Sequence, residues 1–450
     1  MPSLGLVDSL NAIREMSVKD GKAYHQYVPI ITDQTDIGAL SQPILNYVNV
    51  RNDFMSMLIN KLVDSKFEVK YFRNPLQILE GDTLPLGYAT ESIYANPAKG
   101  RRTNVEDFAG LLARYTADVK VQYFALNMDL QYPVTVSYTQ LKKAFMSWDA
   151  LERFIDGLSM SLYNGAYLDE FRFTKNLVGG SYLKNQVQYE VVSAVNSEAN
   201  AKAFVTKMRE LYLNMQMPST KYNAWAKVGG YGKPVTTWSL PEDIVFLIRN
   251  DVLSYLDVNV MASAFNISSS ELLGRIIPID NFSAYDDDGN EIFDGSGVIG
   301  FIGDKSWFQI QRQDMFLEEF RNPNNRTYTM YLNLIKQYNY SLFANGVVIC
   351  TTAPSVDATK VEADPDTISI KAGEKATSAI TLTPITSTAT VTASSSATTY
   401  ATVKVASDGK SVEITGEAEG SATITVTATN GDTTTVTDTI AVTVAAADAA

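Results

Sequence analysis

Apolar residues follow helical and strand-like spacings in turn up to about residue 350, and beyond it only the two-residue spacing of strands remains. Near the start, VPIITDQTDIG and SQPILNYV are interrupted by Pro29 and Pro43. This predicts an extended arm and a helical piece, with little core of their own, over roughly the first 60 residues. FEVKYF from Phe67, and DVKVQYFALNMDLQYPVTVSY ending at Tyr138, read as strands. Between them lies a polar stretch containing Asn96 to Arg102, which predicts a long hairpin with a basic tip. A projecting hairpin of this size needs pairing or cover from a neighbour.

Asp149 and Glu152 have capping-box spacing, so a helix is expected to start there. Leu151, Phe154, Ile155, Leu158, Leu162 and Ala166 keep one apolar face through about Phe173, roughly 35 Å of helix at 1.5 Å per residue. A second amphipathic helix is predicted from Asn200 to Met215, with Phe204, Val205, Met208, Leu211, Tyr212 and Met215 buried and Pro218 as its stop. DIVFLIR predicts a strand, DVNVMASAF a helix, Ser268 with Glu271 a capped short helix, and RIIPID a strand. KSWFQIQ, TYTMYLNLIKQYNYSLF and NGVVIC then supply strands, the last apolar enough to be buried on both faces.

After TTAPSVDATK the composition shifts, and roughly two residues in five are Ala or Thr. Ile424, Val426 and Ala428 alternate with threonines, as do Ile440, Val442 and Val444 with Ala441 and Thr443. Asp408-Gly409 separates ATVKV from SVEIT as a hairpin turn, so this part reads as an all-β two-sheet sandwich.

A chain of 450 residues with 45% apolar and 19% charged positions has material for two or three folded units. Its net charge of −13 opposes direct duplex binding but is compatible with enclosing nucleic acid. One cysteine, Cys350, excludes an internal disulfide, and a single histidine, His25, leaves too few ligands for a Cys/His zinc site. MPSLGLVDSLNAIREM lacks the features of a secretory signal and no long apolar run follows, so a cytoplasmic origin without membrane insertion is expected.

Each candidate for chemistry has a plainer reading. Gly295 to Gly300 fits GxGxxG but lacks the flanking strand and helix of a dinucleotide site, and is expected to be a flexible loop. Gly229-Gly-Tyr-Gly-Lys-Pro fails the phosphate-loop pattern at Pro234 and is read as a turn. Asp286, Asp288 and Asn290 occupy the first three ligand positions of a calcium loop, but Glu291 stands where Gly is needed, which leaves a hairpin tip as the expectation. Cys350 sits in an apolar strand with no basic residue nearby in sequence, and His25 lies among Tyr24, Gln26 and Tyr27 as an interface or arm residue. No catalytic residue, cofactor or metal is therefore assigned. Glu91, Lys99, Arg101, Arg102, Glu152 and Arg153 are the candidate assembly contacts.

LPLGYATESIY, AFMSWDALERFIDGLSMSLYNGAYLDEF, FVTKMRELYL, YLDVNVMASAFN with ELLGRIIPIDNF, and FRNPNN with SLFANGVVI form an ordered set. Together they resemble the major capsid proteins of the small phi-29-like tailed phages over most of residues 1–350. The tail, with PDTISIKAGE early and GSATITVTA late, resembles the bacterial Ig-like group 2 (BIG2) module. The resemblance implies an α+β fold of the Hong Kong 97 capsid type with a C-terminal all-β Ig-like sandwich. It implies an N-terminal arm (1–66), an extended loop (67–138), a peripheral domain with the spine helix (139–219 and 311–350) and an axial domain (220–310). A linker (351–360) and the Ig-like domain (361–446) complete this division.

The implied function is a shell subunit that assembles with itself as pentamers and hexamers into an icosahedral head around double-stranded DNA. The implied partners are a scaffolding protein during assembly and a portal or connector at one vertex, with no membrane and no sequence-specific DNA contact. Assembly is expected in the host cytoplasm, and the Ig-like domain is expected on the virion surface, in reach of host glycans. Two other classes fit the Ig-like tail: a phage tail or adhesion protein, and a carbohydrate-active enzyme with an accessory module.

Overall fold

The computed structural model describes residues 4–64, 72–85, 90–100, 114, 116–228, 233–256, 275–285 and 291–446. The chain divides into two compact units: Met1–Glu91 with Tyr123–Thr174 and Gln309–Asn339, and Ser92–Gln122 with Lys175–Phe308 and Tyr340–Ala450.

In the first unit the N-terminal region is helical: α1 (Leu4–Lys19), α2 (Tyr24–Tyr27), α3 (Ile37–Asn46) and α4 (Val48–Asp64). Leu6, Leu10 and Ile13 recur at helical spacing and are buried with Tyr24, Phe54 and Met57 in one core. This corrects the expectation of an extended arm with little core. Pro43 lies inside α3, and Asp36 caps that helix by accepting from Gly38 N at 3.1 Å. One missing amide donor did not outweigh the apolar face of Leu40 and Ile44.

The strands that follow are β1 (Thr90–Ala95), β2 (Val119–Phe124) and β3 (Met128–Ser137). The run read as one arm of a hairpin is thus two strands with different partners. β1 pairs with β2, whereas β3 joins the sheet completed by β10 (Phe308–Asn322) and β11 (Thr327–Tyr340). FEVKYF lies outside the described residues except for Phe72, whose backbone N–H donates to Asn164 Oδ1 at 2.9 Å. A short helix, α5 (Tyr138–Ala144), leads into α6 (Trp148–Leu183).

α6 starts one residue before the expected cap. Ser147 Oγ accepts from Ala150 N at 3.1 Å, so Ser147 is the cap and Asp149 lies in the first turn. Leu151, Ile155, Leu158, Leu162 and Ala166 are buried as expected, in the core shared with Val136, Met330 and Leu332. The helix is 36 residues long, or about 54 Å, because burial continues past Phe173 at Val178 and Tyr182. Gly179 and Gly180 lower the helical propensity there, but the chain of contacts requires one of them. A Cβ at Gly179 would stand 2.2 Å from Phe282 O.

In the second unit, β4 (Gln188–Val191), β5 (Ile244–Arg249), β6 (Ile276–Ile279), β9 (Val298–Asp304) and β12 (Gly346–Cys350) form one sheet ordered β4-β12-β9-β5-β6. β7 (Ala284–Tyr285) and β8 (Glu291–Phe293) pair separately. β12 is buried throughout, as its sequence predicts. α7 (Glu198–Met215) lays Phe204, Val205, Met208, Leu211, Tyr212 and Met215 on this sheet, the stripe read from the sequence. α7 and β12 share one core with β5 and β9. DVNVMASAF and the Ser268–Glu271 cap lie outside the described residues.

The tail is two four-stranded sheets. β13 (Lys360–Asp364), β15 (Lys375–Thr383), β18 (Ser411–Gly416) and β17 (Ala401–Val405) form one; β14 (Thr367–Lys371), β20 (Thr435–Ala445), β19 (Gly420–Thr429) and β16 (Thr390–Ser395) form the other. Both bury their apolar alternates, including Ile370, Ile414, Val426 and Val442, in a common core. Asp408-Gly409 turns between β17 and β18 with Gly409 at φ 68°.

Candidate assembly surface

The hairpin base shows one face to its own unit and the other to solvent, because side chains alternate along both strands. On the inner face, Tyr94 stacks on Phe343 with centroids 5.7 Å apart and donates its hydroxyl to Thr236 O. Gln122 Nε2 donates to Tyr340 O at 2.9 Å, and its Oε1 accepts from Leu342 N at 2.8 Å. Lys120 Nζ lies 5.7 Å from the Trp225 ring centre and 3.1 Å from Asp118 Oδ1. Asn96 accepts from Thr236 N at 2.9 Å and donates to Asp118 Oδ2 at 2.7 Å. The Asn96 and Lys120 bonds hold the Asp118 carboxyl below its ordinary pKa.

The outer face is apolar. Ile93 is 60% exposed and Tyr123 76%, with Val119 and Val121 also exposed between them. The ribbon thus has one hydrogen-bonded face and one face that is largely apolar and exposed. Glu91 lies on that outer face and Lys99 is exposed beyond the end of β1. Arg101 and Arg102 lie outside the described residues.

The start of α6 carries acid at Asp149, Glu152 and Asp156. Glu152 is half-buried, and burial together with the Glu152 charge pushes the Asp156 carboxyl up. Arg153 is exposed and pairs with Asp149 at 2.9 Å, a surface contact that releases either partner at little cost. Glu152 and Arg153, consecutive in sequence, both lie in the first turns of α6.

Sequence reasoning missed the polar cluster beneath α6. Lys336 of β11 is buried and lies 2.8 Å from Glu170 Oε1 and 2.9 Å from Glu80 Oε2. Tyr132 donates to Asp169 Oδ2 at 3.0 Å; burial and the acidic neighbours hold the Tyr132 and Tyr338 hydroxyls protonated well above the usual range. The signal was present: Tyr328, Met330, Leu332, Leu334 and Lys336 share one strand face, so the lysine had to point inward.

The remaining candidates are structural. Cys350 is buried, and burial pushes its thiol up to about 11. The fold does bring a lysine near it, contrary to the sequence expectation: Lys227 acts on the thiol electrostatically, but less than burial does. Only Gly295 to Gly297 of the GxGxxG match form a turn; Val298 to Gly300 begin the buried β9, which corrects the expected flexible loop. His25 Nδ1 is 3.2 Å from Ser17 Oγ, within the helical N-terminal region. Asp286, Asp288 and Asn290, and the turn at Gly229, lie outside the described residues.

The family model described as Phi29-like phage major capsid protein matches residues 10–350. The major capsid protein of Bacillus phage PZA is 28% identical over 378 residues, 83% of this chain and 80% of the relative. That of Bacillus phage B103 is 28% identical over 379 residues, covering 83% and 79%. A chain of the capsid structure of Staphylococcus phage Andhra is similar in fold, with a TM-score of 0.52 at 18% identity over 64% of this chain and 88% of that one.

Proposed function

The chain belongs to the Phi29-like phage major capsid protein family, and we propose that its hairpin face and the acidic start of its longest helix are the surfaces that join one copy to the next. It is a structural, non-enzymatic capsid subunit, it self-assembles into a shell, and it is a component of the virion.

The observation that carries the reading is the hairpin's division into a bonded inner face and an apolar outer one. A neighbouring subunit covers Ile93, Val121 and Tyr123, and the spine of that neighbour is the surface they cover. Charge supports this pairing. Lys99, Arg101 and Arg102 are basic, while Asp149, Glu152 and Asp156 line the first turns of α6. Burying the apolar face favours association at about 25 cal/mol per Å² of area removed from water, and the charges set its register.

In this reading the fold is of the Hong Kong 97 type, with the arm at 1–66, the extended loop at 67–138, the peripheral domain at 139–219 and 311–350, and the axial lobe centred on β5, β6 and β9 within 220–310. Residues 351–360 link the shell to an Ig-like group 2 domain at 361–446, displayed outward, where its uncharged threonines meet host-surface glycans. Scaffolding protein and portal act during assembly in the host cytoplasm, and the finished head encloses DNA. The net charge of −13 suits a container that must release its contents.

Negative-stain microscopy of the chain co-expressed with a scaffolding protein tests the assembly. Closed shells containing this chain are expected, and trimers or fibres in their place would overturn it.

A further inference from the structure

The end of α6 ties a lysine and the tail together. Asn185 follows the helix at φ 50°, with its own N–H bonded to Tyr182 O at 2.9 Å and that of Gln186 to Ser181 O at 2.8 Å. Asn tolerates this left-handed helix ending better than most residues. Its side chain then bridges: Nδ2 donates to Thr386 O of the tail at 2.9 Å, and Oδ1 accepts from Lys227 Nζ at 2.8 Å. Lys227 also donates to Val187 O at 2.9 Å and stands 4.3 Å from the centre of the Tyr189 ring. Each of these partners is uncharged.

Lys227 lines a cavity of about 160 Å³. Ile380, Leu382, Ile385 and Val391 of the tail give it apolar walls, and Lys410 is a second lysine in its lining. Asp408, also in the lining, is engaged in its own turn, where Oδ1 accepts from Lys410 N at 3.0 Å.

We propose that this cavity binds a small monocarboxylate with an apolar body, its carboxylate against Lys227 and Lys410 and its body against Ile380, Leu382 and Val391. Among the described residues this half-buried ammonium bonds only to neutral groups, so it is short of negative charge, and a carboxylate supplies it. Burial pulls Lys227 down to about 8, which has the same cause. A cavity of about 150 Å³ with apolar walls admits a benzene-sized group, so benzoate and hexanoate have the right dimensions and charge. Two lysines against one engaged carboxylate select an acid over an amine. An occupied site sits directly beside the Lys227–Asn185–Thr386 bridge, and so firms the attachment of the tail. The site is independent of the shell contacts proposed above.

Titration calorimetry of the full chain with benzoate, benzamide and hexylamine tests the assignment. Benzoate is expected to bind, benzamide to bind at least tenfold more weakly, and hexylamine not to bind. Lys227→Met, with an unchanged far-ultraviolet dichroism spectrum, weakens benzoate at least tenfold. Leu382→Trp fills the cavity and abolishes binding with the lysine in place, so the test survives if the lysine variant does not fold. Absence of benzoate binding, equal affinity for benzamide, or benzoate affinity unchanged in either variant overturns the proposal.

Discussion

Lys336 and Glu170 form an ion pair closed off from solvent: Nζ lies 2.8 Å from Oε1, and the side chains are 2% and 8% exposed. Glu80, 2.9 Å from the same ammonium and 18% exposed, shares the lysine from a second side. The cluster sits between β11 and α6, both of which contribute to the core of the first unit. One cation thus holds two carboxylates where the long helix meets its sheet.

Lys336→Met leaves Glu170 buried without its counter-ion. Breaking a buried pair on one side costs about 3–5 kcal/mol, and urea unfolding should show a loss of that order. A loss below about 1 kcal/mol would mean that the lysine is dispensable to this packing.

Gly179→Ala tests the close approach of α6 to the segment after β6. The added Cβ would meet Phe282 O at 2.2 Å and Phe293 Cε2 at 2.8 Å, so helix or segment must move. A loss of about 2 kcal/mol or more is expected from such overpacking. Ala at Gly180, where a Cβ meets nothing within 4 Å, is the control and should be neutral or stabilising.

Val121→Ser with Tyr123→Ser removes most of the hairpin's outer apolar face without touching Tyr94 or Gln122. Subunit melting temperature should stay within a few degrees, while shell yield falls at least tenfold in sedimentation assays. Normal shell yield would show that this face has no partner.

Cys350 should resist alkylation. A thiol raised from 9.0 to about 11 has its thiolate fraction at pH 8 cut about a hundredfold, and Cys350 is also buried. Iodoacetamide should modify the native chain at least a hundredfold more slowly than the urea-unfolded chain. The raised value favours the folded state below the thiol's ordinary pKa, and that contribution fades as pH climbs from about 9 to about 11. Comparable alkylation rates would place the thiol at the surface.

A chain ending at Cys350 should still assemble, because the family match ends there and the tail has its own core. Shells from the full chain but none from the shortened one would show that the tail takes part in building the wall.

The elements that sequence made legible were those with one strong period. α7 showed its whole buried stripe, β12 its continuous burial, and β19 and β20 their alternation, because local spacing alone decides which side of such an element is dry. Residues whose fate depends on distant partners were harder to read. Pro43 suggests an extended arm, whereas α3 packs with α1 and α4, and the apolar face followed to Phe173 gives no sign that Gly179 must meet Phe282 six residues on. The hairpin was legible in outline, but its two faces were not. Tyr94 and Val121 look alike in sequence, and only the positions of Phe343 and Thr236 decide which is bonded and which is bare. Lys336 was readable from its strand period, whereas Lys227 acquires meaning only beside Asn185 and Tyr189.

Electron cryomicroscopy of assembled particles tests the central claim most directly. The expected result is a closed shell in which every subunit is this chain and the Ile93, Val121 and Tyr123 side chains of one copy lie against the α6 helix of the next. A shell in which those side chains face solvent, or particles whose wall lacks this chain, would contradict it.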